Sequence, residues 1–310
     1  MSVALLFPGQ GSQSVGMLAD LSTSWPQVEQ AFAEASDVLG YDLWRLAQDG
    51  PLELLNQTDK TQPAMLAAGV AVARVWQAAG GADPTHMAGH SLGEYTALVC
   101  SGALAFSDGL KLVEKRGQLM QAAVAAGEGA MAAVLGLSDG DVVAACEDAA
   151  DVGVVQAVNF NSPGQVVIAG STTAVERAME IAKEMGAKRV LRLPVSVPSH
   201  CELMKPAAEQ LTEVLEGVDI STPDVTVIHN ADVCAHVDEE GIKQVLVAQL
   251  YSPVRWVDTI QALKGAGVTT VIECGPGKVL TGLNRRIDKR MTALPVFDDA
   301  SLAKALGGIE

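Results

Sequence analysis

The chain has 310 residues, 49% of them apolar, and a formal net charge of −16. That length exceeds a typical single domain and predicts one large domain carrying an insertion, with apolar residues enough for a substantial core. The acidic balance argues against a nucleic-acid binder. Five cysteines, an odd number with no Cys-x-x-Cys pair, predict a reduced, cytoplasmic protein rather than a disulfide scaffold or zinc module. Residues 1–20 carry no basic segment ahead of an apolar one, so no secretory signal is expected. The longest charge-free stretch, 152–175, is broken by Asn159, Asn161, Pro163, Gly164 and Gln165 and cannot span a membrane.

In chain order, Val3-Ala4-Leu5-Leu6-Phe7 is a short buried strand ended by Pro8-Gly9-Gln10-Gly11. Helical patterns follow over about 26–40 and 61–80. Thr85-His86-Met87-Ala88 then reads as a strand, Gly89-His90-Ser91-Leu92-Gly93 as a sharp turn, and 94–100 as a helix. Asp108 is a good N-cap for a helix running to about 126. Further on, 225–228 and 268–272 are β-branched runs between helices. Strands alternating with helices imply a parallel sheet covered on both faces. The stretch 127–197 has another rhythm: strand 130–137, helix 139–150, strand 154–159, turn 161–164, strand 165–170, helix 173–185, strand 188–193. That order, β-α-β-β-α-β, is the ferredoxin-like motif. The expected architecture is a discontinuous α/β domain (1–126 and 198–310) with a ferredoxin-like domain inserted at 127–197.

Gly-x-Ser-x-Gly between a strand and a helix exposes the serine hydroxyl at the tip of a sheet. The helix N-terminus behind it offers free N–H groups to an oxyanion. Ser91 is therefore a candidate nucleophile, the alternative being a serine that only caps the helix. A serine needs a base, and the chain has five histidines. His86 lies inside the strand, His90 beside Ser91, and His229 and His236 bracket an irregular segment. His200 leaves the small domain's last strand at a domain junction, where a pocket would form, and is favoured as the base over a solvent-exposed histidine at a helix start.

Leu112, Arg116 and Met120 share one inward helix face, while Lys111, Lys115 and Gln118 point elsewhere. A buried arginine needs an anion. Either a protein carboxylate or a substrate carboxylate gripped by the two-pronged guanidinium would serve. The loop from Pro8 to Gln13 leaves the first strand at the edge where the turn emerges; the Gln10 N–H is a second oxyanion donor or part of an ordinary turn. It is no phosphate loop, since no Gly-Lys-Ser/Thr follows. Glu273-Cys274-Gly275-Pro276-Gly277-Lys278 closes the last long strand and either lines a ligand crevice or simply starts a helix.

Taken together these residues resemble the malonyl-CoA:acyl-carrier-protein transacylases. The resemblance rests on FPGQGSQ (7–13), GHSLGEYTALVCSG (89–102), KRGQLMQ (115–121), NFNSPGQVVIAG (159–170), PVSVPSHCELM (194–204), QLYSPVRW (249–256) and ECGPGKVL (273–280). It implies Ser91 as nucleophile, His200 as base, and the Gln10 and Leu92 amides as oxyanion hole. Arg116 would hold the malonyl carboxylate, and Gln249 would orient His200 through its backbone carbonyl. His90 would shape the thioester pocket, with Asn159 and Asn161 near the coenzyme A moiety. The implied partners are malonyl-CoA, as substrate, and acyl carrier protein; no metal or redox cofactor is implied, and no membrane or nucleic acid.

Carrier proteins are acidic, so attraction to this acidic chain must be local. Two basic clusters, Arg285-Arg286-Ile287-Asp288-Lys289-Arg290 and Lys188/Arg189/Arg192, are expected to flank the pocket mouth and guide carrier protein and coenzyme A phosphates, or else to be solvated faces. Three rivals stand beside this reading. An α/β-hydrolase places its histidine late in the chain, yet none follows His236. An acyltransferase of a polyketide or malonate-decarboxylase system would share fold and catalytic residues. A carrier-protein scaffold with a dead site would have no reason to keep Ser91, His200, Arg116 and Gln249.

Overall fold

The computed structural model describes residues 2–195 and 197–308; Ser196, within the motif 194–204, lies outside them. Nine strands are found among the described residues: β1 Val3–Phe7, β2 His86–Gly89, β3 Gly129–Leu135, β4 Val155–Ser162, β5 Gln165–Ser171, β6 Arg189–Arg192, β7 Thr226–Ile228, β8 Thr270–Cys274 and β9 Thr292–Val296. Five form a parallel sheet of order β7-β2-β1-β8-β9. All five residues of β1 are buried, because helices cover both faces of this sheet. Phe7 pairs with Gly89 and Leu6 with Glu273, so β1, β2 and β8 end together. The loops after them converge at one sheet edge, where open α/β sheets bind ligands.

The other four strands form an antiparallel sheet of order β4-β5-β3-β6. That order, with the helices Asp139–Asp148 and Thr172–Glu184 in the two crossovers, is the ferredoxin-like arrangement expected above. Its core, from Ala130 through Val166 and Ile168 to Ile181, draws only on this stretch of chain. A second contact layer of Met131, Val158, Val167 and Ala169 packs on Cys201. Phe160 N–H donates to the Val254 carbonyl, and Val254 N–H to that of Val158, which ties the small sheet to the loop before the Trp256–Gly265 helix.

Three expectations are corrected. The helix carrying Arg116 spans Phe106–Ala122 and starts after Ala105. Asp108 lies within its first turn, where a carboxylate still meets the positive end of the helix dipole. Strand β4 runs on through Asn161 to Ser162, with bulges, leaving Pro163-Gly164 as the two-residue turn, Gly164 at φ 72°. The strand from the 268–272 run is not the last: β9 follows at the sheet edge, the position at which Pro295, having no N–H to pair, is tolerated.

Candidate active site

Ser91 sits two residues beyond the end of β2 with φ 53°, ahead of the Gly93–Cys100 helix. Its flanking glycines have a steric reason. A methyl on Gly89 would overlap the Gly93 backbone, one on Gly93 the Phe7 carbonyl, and one on Gly9 the His90 carbonyl. The turn is further braced by Asn230, whose Oδ1 accepts from Ser91 N–H at 2.7 Å and whose Nδ2 donates to the Gly89 carbonyl at 2.7 Å.

Opposite stands His200, 3% exposed and with φ 67°. Its Nδ1 lies 2.7 Å from the Gln249 backbone oxygen and its Nε2 2.7 Å from Ser91 Oγ. A carbonyl only accepts, so Nδ1 carries the proton and the Nε2 lone pair faces the serine hydroxyl. Ser91 and His200 both hold positive φ without being glycine, a conformation that persists only where the surroundings impose it.

Arg116 is 1% exposed. Its Nη1 donates to Gln62 Oε1 at 2.8 Å and its Nη2 to Gln249 Oε1 at 2.9 Å, with Ser91 Oγ 3.4 Å away. Among the described residues its Nε has no acceptor, and no carboxylate pairs with it. The partners are neutral amides, so the protein carboxylate weighed from the sequence is not its partner. The guanidinium is held in place with its charge unmatched, beside the Tyr95 ring at 5.3 Å.

These groups face a cleft of about 230 Å³ between the two sheets. Gln10, Leu92, His90, Asn159 and Asn161 line it, as do Ser91, Arg116 and His200. No acceptor for the Gln10 or Leu92 N–H is found among the described residues. His90 Nε2 meets Asn161 Oδ1 at 2.8 Å, and burial pulls its pKa down, so the neutral ring donates to the amide oxygen. Glu273 caps the Val279–Ile287 helix, accepting from Leu280 and Thr281 N–H; of its two readings, the helix start holds. Of the expected basic residues, Arg286 donates to Gln165, a cleft residue, at 2.8 Å. Lys188, Arg189 and Arg290 contribute nothing to the lining, and Arg192 is paired with Glu176.

Sequence reasoning missed Gln62, Asn230, Glu94 and His229. Glu94 and His229 form a fully buried pair at 2.8 Å. The usable signal was polar residues inside apolar runs, as with Gln62 within a helix otherwise rich in alanine and valine.

Burial, and next the Arg116 charge, pull the His200 pKa down to about 3. The imidazole therefore stays neutral, as a base must, far below the usual histidine range. Acylation of Ser91 is expected to hold its rate from pH 8 down past 6, where an ordinary histidine base would already fail. Removing Arg116 takes away the second cause, so the acid limb should move up toward 6.5. Stopped-flow coenzyme A release against pH measures both; a wild-type limb near 6.5 would contradict this environment. The same shift makes folding stability fall as the pH drops from 6.5 toward 3, because the unfolded chain takes up the proton first.

A serine at a strand-turn-helix facing a buried histidine, on a parallel sheet with an inserted antiparallel one, has the geometry of nucleophilic acyl-transfer chemistry, and the acyltransferase class is given by the family described as acyl transferase domain, which matches residues 4–299. The malonyl CoA-acyl carrier protein transacylase of Escherichia coli K12 is 55% identical over 303 residues, covering 98% of each chain. That of Haemophilus influenzae is 58% identical over 299 residues, 96% of each. The solved acyl carrier protein S-malonyltransferase of Vibrio cholerae superposes with a TM-score of 0.95 at 58% identity, over 98% of this chain and 99% of that one. A malonyl-transacylase solved in complex with a type II PKS acyl-carrier protein gives 0.98 at 56% identity, over 99% and 100%. The chain belongs to the malonyl CoA-acyl carrier protein transacylase family.

Proposed function

We propose that this chain moves a malonyl group from malonyl-CoA to the phosphopantetheine thiol of an acyl carrier protein of fatty-acid synthesis, through a malonyl ester on Ser91, in the cytoplasm. The observation that carries the reading is a buried arginine without a carboxylate partner, within reach of an activated serine.

His200 Nε2 takes the Ser91 proton as Oγ attacks the thioester carbon. The Gln10 and Leu92 amides hold the resulting oxyanion, each worth roughly 3 kcal/mol if it behaves as known donors do. The C–S bond then breaks, and the imidazolium returns its proton to the departing coenzyme A sulfur. In the second half, His200 takes the proton of the carrier's thiol, the sulfur attacks the malonyl ester, and Oγ leaves carrying that proton. Serine, imidazole, guanidinium and backbone amides cover every charge that develops, so these steps call on no metal or redox cofactor. Asn159, and Asn161 through His90, support the thioester side of the cleft.

Intact-mass spectrometry after mixing the protein with malonyl-CoA tests the proposal: one malonyl adduct should form and be discharged by holo carrier protein. Malonate release without an adduct would mean a hydrolase, and neither adduct nor coenzyme A release a non-catalytic scaffold. A polyketide carrier as partner is the second reading, favoured by the likeness to the transacylase solved with such a carrier; discharge rates with the two carrier types separate them. Arg286 sits against the cleft wall through Gln165, where an acidic carrier would approach. Reversing the charge at Arg286 and Arg290 should raise KM for carrier protein on the order of tenfold at low salt, leaving KM for malonyl-CoA unchanged. An unchanged carrier KM would remove these residues from docking.

A further inference from the structure

Glu94 lies three residues beyond the nucleophile in the first turn of its helix, and it is 0% exposed. An acidic residue there ordinarily faces solvent beside the helix dipole. This one turns inward, and both its oxygens are engaged. Oε1 meets His229 Nδ1 at 2.8 Å. Oε2 accepts from Asn230 N–H at 2.8 Å and from Gln249 Nε2 at 2.9 Å. The Gln249 side chain thus spans two opposite charges: its Nε2 faces Glu94 and also donates to the Ser91 carbonyl at 3.0 Å, while its Oε1 receives Arg116. Turned over, the amide would set oxygen against carboxylate and N–H against guanidinium. Both contacts would be repulsive, so the carboxylate dictates which end of the amide meets the arginine.

We infer that Glu94 is a positioning residue for acyl selection, locking the Gln249 amide so that Arg116 is held by a neutral oxygen and keeps its charge for the substrate carboxylate. The inference rests on the reading of Arg116 under Proposed function. A carboxylate touching Arg116 would compete with the malonyl group, whereas one amide removed it offsets the buried cation without occupying it. Because the Gln249 backbone oxygen also holds His200, one residue conveys the position of Glu94 to both clamp and base.

The test is the ratio of kcat/KM for malonyl-CoA to that for acetyl-CoA, in which the concentration of folded enzyme cancels. Glu94→Gln puts an N–H₂ against one of three donors and releases the amide lock. Gln249→Met keeps the backbone carbonyl for His200 but severs the link to Arg116. Each should lower the ratio at least tenfold, and Glu94→Asp should recover part of it. In an Arg116→Ala background, Glu94→Gln should change the ratio less than twofold, since its effect passes through the arginine. A ratio within twofold of wild type for both single variants, or full additivity in the double variant, would overturn the inference and leave Glu94 as a brace of the turn. Wild type that forms no malonyl adduct would instead overturn the transferase reading itself, and this inference with it.

Discussion

Ser91→Ala is expected to form no malonyl adduct, and His200→Ala to form it roughly 10⁴- to 10⁶-fold more slowly than wild type. The two side chains act as one unit. The serine hydroxyl is a poor nucleophile unless Nε2, 2.7 Å away, takes its proton, and no other imidazole among the described residues is placed to do so: His90 is bonded to Asn161, His229 to Glu94 and His236 to Asp232, and His86 sits at the opposite end of β2. What orients His200 is a neutral carbonyl, in the place that a carboxylate holds in other triads. A carbonyl fixes the tautomer without adding negative charge, so the imidazole remains a weak base. Rapid-quench measurement of adduct formation gives both rates. Adduct in Ser91→Ala would place the nucleophile elsewhere, and less than a tenfold loss in His200→Ala would remove it as the base.

For Arg116→Ala the expected result is a change of preference. Malonyl transfer should fall roughly 30- to 5,000-fold, the range corresponding to about 2–5 kcal/mol for truncating a desolvated charge pair. Acetyl transfer should be kept or rise. Acetyl-CoA brings no carboxylate, so in the wild type it buries the guanidinium with its charge unmatched; the alanine variant has no charge left to bury. Arg116→Lys should restore only part of the malonyl rate, because one ammonium cannot hold Gln62, Gln249 and a carboxylate as the planar guanidinium fork does. Equal loss of malonyl and acetyl transfer would dispose of the clamp.

Features that depend on close neighbours along the chain are legible in its sequence. The turn at Ser91 is written in two glycines four residues apart, and the inward face of Arg116 in its spacing from Leu112 and Met120. The strand order of the small sheet follows from its βαββαβ rhythm. The partners of Arg116 are not legible, since Gln62 lies 54 residues before it and Gln249 133 residues after it. Asn230, which braces a turn 139 residues away, gives no periodic signal in its own irregular segment. Asp108 misleads for a related reason: a carboxylate suits the first helical turn as well as the cap, and composition alone does not separate the two positions.

The cleft has two walls of separate origin. The acyl end, with Arg116, Gln62, Ser91 and His200, belongs to the parallel sheet and its helices. Met131, Asn159, Asn161, Gln165 and Val167 come from the antiparallel sheet, which has a core of its own. Separate cores let the residues of one wall change without dismantling the other, the two walls meeting at the His90–Asn161 bond and at Cys201. Grafting a relative's small sheet onto this chassis should exchange the thioester donor or acceptor and leave the acyl preference intact, a division of labour that lets one scaffold be re-addressed to new carriers without relearning its chemistry.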